Sequence, residues 1–149
     1  MNSLTVALTV KPIEDSDIAE VIALWQRCRS TRPWNDPAAD ITLARKENNA
    51  TVLLGRSGGA LAASVLVGHD GHRGWVYYVT VDPAHRFKGF GRAIMSAAED
   101  WLRARGIEKL QLMVRGDNAE VHAFYKSLGY FEQERVVFAK WLDGRDPTP

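Results

Sequence analysis

Three strand-like segments between residues 50 and 82 constrain the fold more than any other feature of this sequence. Residues 50–56, 60–67 and 75–82 are rich in apolar and β-branched side chains. A Ser-Gly-Gly turn joins the first pair, and the hexapeptide HDGHRG joins the second. Because such short connections link antiparallel neighbours, the sequence predicts three adjacent, hairpin-linked strands.

The rest of the chain alternates between helical and strand periodicity. The helical patterns cover residues 18–28, 41–46, 91–105 and 118–128. Further strands are predicted at residues 5–11, 109–114 and 130–142, the last as one long strand or two short ones. A helix separates strand 75–82 from strand 109–114, so these two should run parallel. We therefore expect an α/β (α+β) fold with about four helices and a mixed, mostly antiparallel central sheet of six to seven strands.

Composition narrows the class of protein. The chain has 149 residues, of which 46% are hydrophobic and 25% charged, which fits one domain over residues 1–149. A formal net charge of +1 argues against a general nucleic-acid or membrane surface, so any anion site must be local. The chain shows no secretion signal, and its single cysteine, Cys28, has the spacing of a core residue. We expect a cytoplasmic protein.

An unusual loop, VTVDPAHRFKGFGRAIM at residues 79–95, follows the third strand. It places three cations and two glycines where a helical pattern begins: Arg86, Lys88, Gly89, Gly91 and Arg92. A helix start presents unpaired N–H groups and the positive end of the helix dipole, and glycines let an anion approach the backbone. The loop therefore predicts an anion site. The alternative is a tight turn with solvated cations.

Two familiar phosphate motifs do not explain this loop. A P-loop requires Lys-Ser/Thr after its last glycine, whereas Arg92 and Ala93 follow here. A dinucleotide fingerprint would need a third glycine at Ile94 and an acidic residue at the end of the next strand. Glu108 stands at the beginning of that strand, so the dinucleotide reading is weak.

The helix predicted at residues 118–128 carries a second constellation. At about 100° per residue, Asn118, His122 and Tyr125 share one edge, next to an apolar stripe. An amide, an imidazole and a phenol are thus presented together. The alternative is that Asn118 is an N-cap and Tyr125 an amphipathic residue at the margin of the core.

These two segments together resemble the GNAT family of N-acetyltransferases. RFKGFG, at residues 86–91, is similar to the family's Arg-x-x-Gly-x-Gly loop. NAEVHAFYKSLGY, at residues 118–130, is similar to its Asn-x-x-Ala-x-x-Phe-Tyr-x-x-x-Gly-Phe segment. Three positions depart from these patterns: Phe87 stands for a glycine that many members have, Val121 for alanine and Tyr130 for phenylalanine.

Two upstream segments resemble the YpeA-like branch of this family. They are LWQRCRSTRPWNDP at residues 24–37 and GHDGHRGWVYYVTVDP at residues 68–83. The resemblance then covers most of the chain from the first predicted helix to Tyr130, and it implies the GNAT fold.

The resemblance implies an N-acetyltransferase that transfers acetyl from acetyl coenzyme A to a primary amine by direct attack in a ternary complex. A backbone N–H near Val79 would polarise the thioester carbonyl, and Tyr125 would give a proton to the departing thiolate. The residues assigned to acetyl coenzyme A are Val79, Thr80, Val81, Arg86, Phe87, Lys88, Gly89, Phe90, Gly91, Arg92, Asn118 and Tyr125. No metal is expected. The alternative is a non-catalytic acyl coenzyme A binding or sensing module on the same fold.

The acceptor is predicted to contact the loop RPWNDP, residues 32–37. Trp34 offers an aromatic platform, and Asn35 and Asp36 could bind or deprotonate an amine; alternatively, the prolines pack Trp34 into the core. Expected acceptors are a small-molecule amine or a protein or peptide amine, with no nucleic-acid or membrane partner. Homodimers are common in the family, so a homodimer is one expectation. The sequence favours no general base among Asp36, His72, Tyr77, Tyr78 and Glu132.

Overall fold

Five strands form one sheet in the first of two compact units. The computed structural model describes residues 7–147, and the units divide between Met113 and Val114. The strands are β1 (Thr9–Pro12), β2 (Ala50–Ser57), β3 (Ala60–His69), β4 (Gly74–Val81) and β5 (Leu110–Gln111). They lie in the order β1-β2-β3-β4-β5, antiparallel except for the parallel pair β4 and β5. The predicted mostly antiparallel sheet with one parallel crossover is confirmed.

The turn between β2 and β3 follows from its two glycines. Ser57 pairs with Ala60, which leaves a two-residue loop. Gly58 and Gly59 have φ values of 58° and 87°, the left-handed conformation that tight hairpins require at both central positions. The predicted hairpin therefore forms at the predicted residues.

Three helices complete the first unit: α1 (Ile18–Arg27), α2 (Pro37–Arg45) and α3 (Phe90–Arg103). α2 begins four residues earlier than the predicted segment 41–46. The Asp36 side chain accepts the backbone N–H of Ala39 at 3.2 Å, and Pro37 occupies the first turn. An aspartate cap followed by proline is a helix-start signal that hydrophobic periodicity does not register.

A cluster of buried apolar side chains joins α1 and α2 to the sheet. Its members are Ile13, Val21, Leu24, Trp25, Ile41, Val52, Leu54 and Leu61. Trp25 is the largest side chain that is fully buried. No helix among residues 7–147 is both long and apolar enough to cross a bilayer.

The second unit contains α4 (Ala119–Ser127), the fourth of the predicted helices. The strands predicted at residues 130–142 are wrong, because no strand is present there. The sheet of the described residues therefore has five strands rather than six to seven. A segment rich in β-branched and aromatic residues forms a strand only where another strand pairs with its backbone. Here the side chains of Val136, Phe138 and Leu142 are 80%, 92% and 93% exposed.

Two other predicted strands are shorter than expected. β5 covers only Leu110–Gln111 of the predicted segment 109–114. β1 begins at Thr9, and the first two residues of the predicted segment 5–11 lie outside the described part of the chain.

Candidate active site

β4 carries a bulge at the position predicted to polarise a carbonyl. The ladder between β3 and β4 changes register between Ser64 and Leu66. Over this interval β4 contributes two residues, Tyr78 and Val79, against the single residue Val65 of β3. Two residues opposing one is the arrangement of a β-bulge, which bends a strand and redirects its backbone groups. Val79 therefore lies where the regular hydrogen-bonding pattern of β4 is broken.

The other edge of β4 is also only partly paired. β5 matches β4 at Gly74 and Trp75 alone. From Val76 onward, no residue of the described β5 is a register partner of β4 on that side. Val79 thus lies in the half of β4 that diverges from β5.

Tyr78 holds the bulge in an uncommon backbone conformation. Its φ of 51° lies in the left-handed region, which is unfavourable for residues other than glycine. The ring stacks on Trp25 of α1, with centroids 3.8 Å apart and planes inclined by 5°. The hydroxyl donates to Oδ2 of Asp40 in α2 at 2.7 Å. The side chain is thereby fixed by two helices, which stabilises the strained backbone beneath it.

These surroundings decide the protonation of Tyr78. Burial, and then the hydrogen bond to Asp40, raise the pKa of its phenol well above the ordinary value. The phenol therefore remains protonated at neutral pH and already donates its proton to Asp40. Of the candidate general bases, Tyr78 is unsuited to the role.

A buried polar network surrounds the peptide group between Tyr78 and Val79. The hydroxyl of Ser64, which is 0% exposed, accepts the indole N–H of Trp25 at 2.8 Å and donates to the carbonyl of Tyr78 at 3.0 Å. The hydroxyl of Thr80 lies 2.6 Å from that of Ser64. Sequence reasoning missed this network. Its only signal was a serine within the apolar run of β3, because the partners come from distant segments.

The chain leaves β4 through a capped turn. Asp82 accepts the backbone N–H of Ala84 at 2.9 Å and forms an ion pair with Arg27 of α1 at 2.8 Å. These contacts hold a single 3₁₀ turn, Pro83–His85, which leads into the predicted anion loop. The Val-Asp-Pro end of the strand thus has a structural role.

The anion loop ends at a helix start with no side-chain cap. Gly89 is the N-cap of α3, with a φ of 77°. Because glycine has no side chain, the first backbone N–H groups of α3 receive no side-chain cap. A Cβ atom at Gly89 would meet no atom of residues 7–147 within 4 Å apart from its chain neighbours, so backbone conformation rather than crowding favours glycine here.

The other residues of the loop differ in exposure. Arg86, Lys88 and Arg92 are all exposed, as an anion site needs, and Nζ of Lys88 lies 3.4 Å from Nδ1 of His85. Phe87 is fully exposed and has a φ of 64°. This left-handed φ explains why glycine suits the position, since Phe87 adopts it without contacts like those of Tyr78.

Two residues assigned to the cofactor are anchored in the interior. Phe90 is 2% exposed and Thr80 is 4% exposed. The hydroxyl of Thr80 faces Ser64. Only the backbone groups of these two residues are therefore available to a ligand.

In the second unit, Tyr125 lies on α4 as predicted, and Asn118 directly precedes this helix as its N-cap. The Asn118 side chain accepts the backbone N–H of Val121 at 3.2 Å and caps the helix. Tyr125 is half-buried and meets the rings of Phe124 and Tyr130 edge-on, at centroid distances of 5.0 and 5.7 Å. Burial raises the pKa of Tyr125 to about 12. The phenol is therefore protonated throughout the neutral range.

The predicted acceptor loop is ordered by local hydrogen bonds. The N–H of Asn35 donates to the carbonyl of Arg32 at 3.0 Å, and Asp36 caps α2. Trp34 is half-buried and does not belong to the core cluster. Asp36 is exposed, so its carboxylate is accessible beside the helix it caps.

Comparison with known proteins gives a family match and several relatives. Residues 18–130 match the model of the Acetyltransferase (GNAT) family. An acetyltransferase of Yersinia enterocolitica is 41% identical over 135 residues, which cover 91% of this chain and 96% of that protein. An acetyltransferase of Sodalis glossinidius is 40% identical over 130 residues, covering 87% of this chain and 92% of that protein.

Solved structures show the same fold. The ribosomal-protein-S18-alanine N-acetyltransferase of Escherichia coli superposes with a TM-score of 0.74 at 26% identity, covering 93% of this chain and 88% of that one. AAC(6')-Iy, solved with a bisubstrate analog of coenzyme A and acetylneamine, gives a TM-score of 0.78 at 14% identity, with coverages of 91% and 98%. The fold expected from the resemblance is confirmed, and the particular branch stays a prediction.

Proposed function

This chain belongs to the GNAT acetyltransferase family, and from that premise we propose that it transfers an acetyl group from acetyl coenzyme A to a primary amine in a ternary complex. The amine nitrogen forms a bond to the acyl carbon while the carbon–sulfur bond breaks. The proton that the amine loses ends on the coenzyme A thiol. The observation that carries the proposal is the uncapped glycine start of α3, behind three exposed cations.

The anion loop fits the pyrophosphate of coenzyme A. The Gly89 N-cap gives the start of α3 no side-chain cap, and Arg86 and Lys88 add positive charge beside it. Helix starts of this kind bind phosphates through N–H donors and the helix dipole. Phe90 and Gly91 contribute through their backbone, because Phe90 anchors its ring in the core.

The bulge in β4 supplies the donor for the carbonyl oxygen. In this proposal the backbone N–H of Val79 donates to that oxygen as negative charge develops on it. A fixed donor of this kind stabilises a transition state because it needs no reorganisation. Thr80 and Val81 offer backbone groups of the same diverging strand.

Tyr125 is proposed to stabilise the leaving sulfur. A thiol has an ordinary pKa of about 8.5, whereas burial raises the pKa of Tyr125 to about 12. Full proton transfer from this phenol to a thiolate is therefore uphill. Tyr125 acts instead by donating a hydrogen bond as the thiolate forms, and the thiol takes its proton from the attacking amine.

The candidate amines differ in the free energy needed to deprotonate them at neutral pH. At pH 7, deprotonating a lysine-like amine with a pKa of about 10.4 costs about 4.6 kcal/mol, whereas an α-amine of about 7.7 to 8.0 costs about 1 to 1.4 kcal/mol. A peptide α-amine thus needs less help from a base. The solved neighbours are described as acting on ribosomal protein S18 alanine and as binding an acetylneamine analog, so both a peptide and a small-molecule amine belong in the test.

The direct test is an amine panel with acetyl coenzyme A. The panel contains a peptide with an N-terminal alanine, an aminoglycoside, a polyamine and lysine, and the readout is free thiol together with acetylated product. Amine-dependent thiol release supports the transferase. Tight binding of acetyl coenzyme A without turnover on any amine would instead favour the binding or sensing module.

Tyr125→Phe tests the role of the phenol in that assay. This variant keeps the ring contacts with Phe124 and Tyr130 and loses only the hydroxyl. Loss of one such hydrogen-bond donor to developing charge typically lowers a rate about 10²- to 10³-fold. Affinity for coenzyme A and the melting temperature should change little. The rates are compared under conditions where the chemical step limits turnover. A folded variant with the wild-type rate would show that the Tyr125 hydroxyl has no part in the reaction.

Asp36→Asn tests whether the loop containing Trp34, Asn35 and Asp36 receives the amine. Asparagine caps helices about as well as aspartate, so α2 should remain intact while the negative charge disappears. We expect a raised KM for the amine and an unchanged KM for acetyl coenzyme A. The reverse pattern would place the acceptor elsewhere.

A further inference from the structure

We propose that Ser64 is a positioning residue, which aims the backbone N–H of Val79 by holding the carbonyl of Tyr78. The inference rests on the proposed function only in giving that N–H a catalytic role. It concerns a side chain that is fully buried and therefore acts without touching a substrate.

The argument begins with the planarity of the peptide group. The carbonyl of Tyr78 and the N–H of Val79 belong to the same peptide bond, so in a trans peptide they point in opposite directions. The chain contains no cis peptide among the described residues. Ser64 donates to the Tyr78 carbonyl at 3.0 Å, which turns that oxygen towards Ser64. The N–H of Val79 is then directed away from Ser64.

The hydrogen bonds around Ser64 fix which acceptor its hydroxyl proton points to. The hydroxyl has a single proton, and the contact with Tyr78 uses it. The indole of Trp25 can only donate, and it does so to Ser64 at 2.8 Å. The hydroxyl of Thr80, at 2.6 Å, must therefore also be a donor. The Tyr78 carbonyl can only accept, so its contact with Ser64 at 3.0 Å requires the Ser64 proton.

The bulge also needs such a restraint. A register ladder orients each peptide of a regular strand, but Tyr78 and Val79 lie in the register shift opposite Val65 and have no register partner on β3. The left-handed φ of 51° at Tyr78 adds strain that would be relieved if the following peptide rotated. The Tyr78 side chain is held by Trp25 and Asp40, yet those contacts do not fix the carbonyl. Ser64 supplies the missing contact.

Ser64→Ala removes the hydroxyl with the smallest change in shape. We expect kcat to fall about 10- to 100-fold, less than the loss of an oxyanion donor itself costs, while affinity for coenzyme A changes by less than twofold. Val67→Ala is the control, because it removes buried apolar volume from the same strand without touching the bulge. At a temperature where both variants are folded, the control should keep kcat within twofold of wild type. A folded Ser64→Ala variant with wild-type kcat would overturn the proposal.

A second readout separates this inference from the proposed function. The amide resonance of Val79, recorded by ¹⁵N–¹H spectroscopy without ligand, should shift and exchange faster with solvent in Ser64→Ala but not in Val67→Ala. If wild type acetylates no amine, the proposed function fails. The Val79 amide resonance still tests whether Ser64 orients the N–H of Val79. An unshifted Val79 amide in the folded variant would refute the positioning role, whatever the activity.

Ser64→Cys covers the case in which the alanine variant does not fold. A thiol is a weaker donor and a larger atom than a hydroxyl. We expect a shifted Val79 amide and a kcat below that of wild type. Wild-type values for both would contradict the inference.

Discussion

Tyr78 and Phe87 share a backbone conformation but differ in the contacts and exposure of their side chains. Both are aromatic residues in the left-handed region, with φ values of 51° and 64°. Tyr78 is stacked on Trp25 and bonded to Asp40, whereas Phe87 is fully exposed. The same local strain, on the order of 1 to 2 kcal/mol for a residue other than glycine, is thus offset by tertiary contacts at one site and not at the other.

The difference matches what each region is proposed to do. A donor for a developing charge works best when it is fixed before the reaction, and the bulge is built around buried partners. The anion loop has a helix start without a side-chain cap, where the proposed ligand would be met by exposed residues. Rigidity therefore comes from packing in the bulge and from local backbone geometry in the loop.

The largest expected effect is on stability, from Tyr78→Gly. Glycine relieves the backbone strain, but the variant loses a ring stacked on Trp25 and a hydrogen bond to Asp40. Removing a large, fully buried aromatic side chain costs about 3 to 5 kcal/mol. Because Tyr78 is partly buried, we expect a net destabilisation of about 2 to 3 kcal/mol. Urea unfolding measures it. A variant as stable as wild type would show that the stacked ring contributes nothing to the bulge.

The next largest effect is on ligand affinity, from a charge placed at the loop. Gly89→Asp and Gly89→Asn introduce side chains of the same shape with the same backbone strain, and no atom of residues 7–147 apart from the chain neighbours lies within 4 Å of the added Cβ. Only the aspartate puts an anion at the proposed pyrophosphate site. We expect coenzyme A to bind about 10- to 100-fold more weakly to the Asp variant than to the Asn variant. Calorimetric titration measures both affinities. Equal affinities would mean that coenzyme A does not bind at the start of α3.

Alkaline pH should lower stability through the partly buried phenol of Tyr78. The folded-state pKa of Tyr78 is raised by burial and by Asp40, while an unfolded tyrosine has a pKa of about 10. Above about pH 10 the unfolded chain therefore loses a proton that the folded chain keeps, and stability falls as pH rises towards the folded pKa. Below about pH 10 this group contributes no pH dependence.

Melting temperatures between pH 9 and 12 test that expectation. Tyr78→Phe should flatten the decline, since it removes the titrating group. Phe87→Tyr is the matched variant in the loop, where an exposed phenol titrates alike in both states and should leave the slope unchanged. The idea fails if Tyr78→Phe declines as steeply as wild type.

The smallest expected effect is a gain in stability from Phe87→Gly. The variant relieves the left-handed backbone at Phe87 and loses no packing, since the ring is fully exposed. The greater freedom of glycine in the unfolded chain subtracts from this gain, so we expect a stabilisation of no more than about 1 kcal/mol. Denaturant midpoints compare it with Tyr78→Gly. A loss of stability as large as that of Tyr78→Gly would mean that the two left-handed sites do not differ.

Features made by neighbouring residues were predictable from the sequence. The Gly58–Gly59 turn, the glycine start of α3 and the Asn118 cap of α4 depend on hydrogen bonds and torsions within a few residues. The pattern of β2, β3 and β4 was equally clear, because short turns leave little choice of partner. The roles of the site residues, from Arg86 to Tyr125, stay predictions until binding and activity are measured.

Features that need distant partners were decided by the tertiary structure alone. The strands predicted at residues 130–142 have suitable side chains, yet no ladder pairs with them in the described structure. The bulge needs Ser64 of β3, Trp25 of α1 and Asp40 of α2 around one residue of β4. These residues are separated by tens of positions in the chain, so no local pattern brings them together. Local torsion and hydrogen-bonding preferences therefore determined the turns, the caps and the anion loop, whereas long-range packing decided the bulge and the direction of its backbone groups.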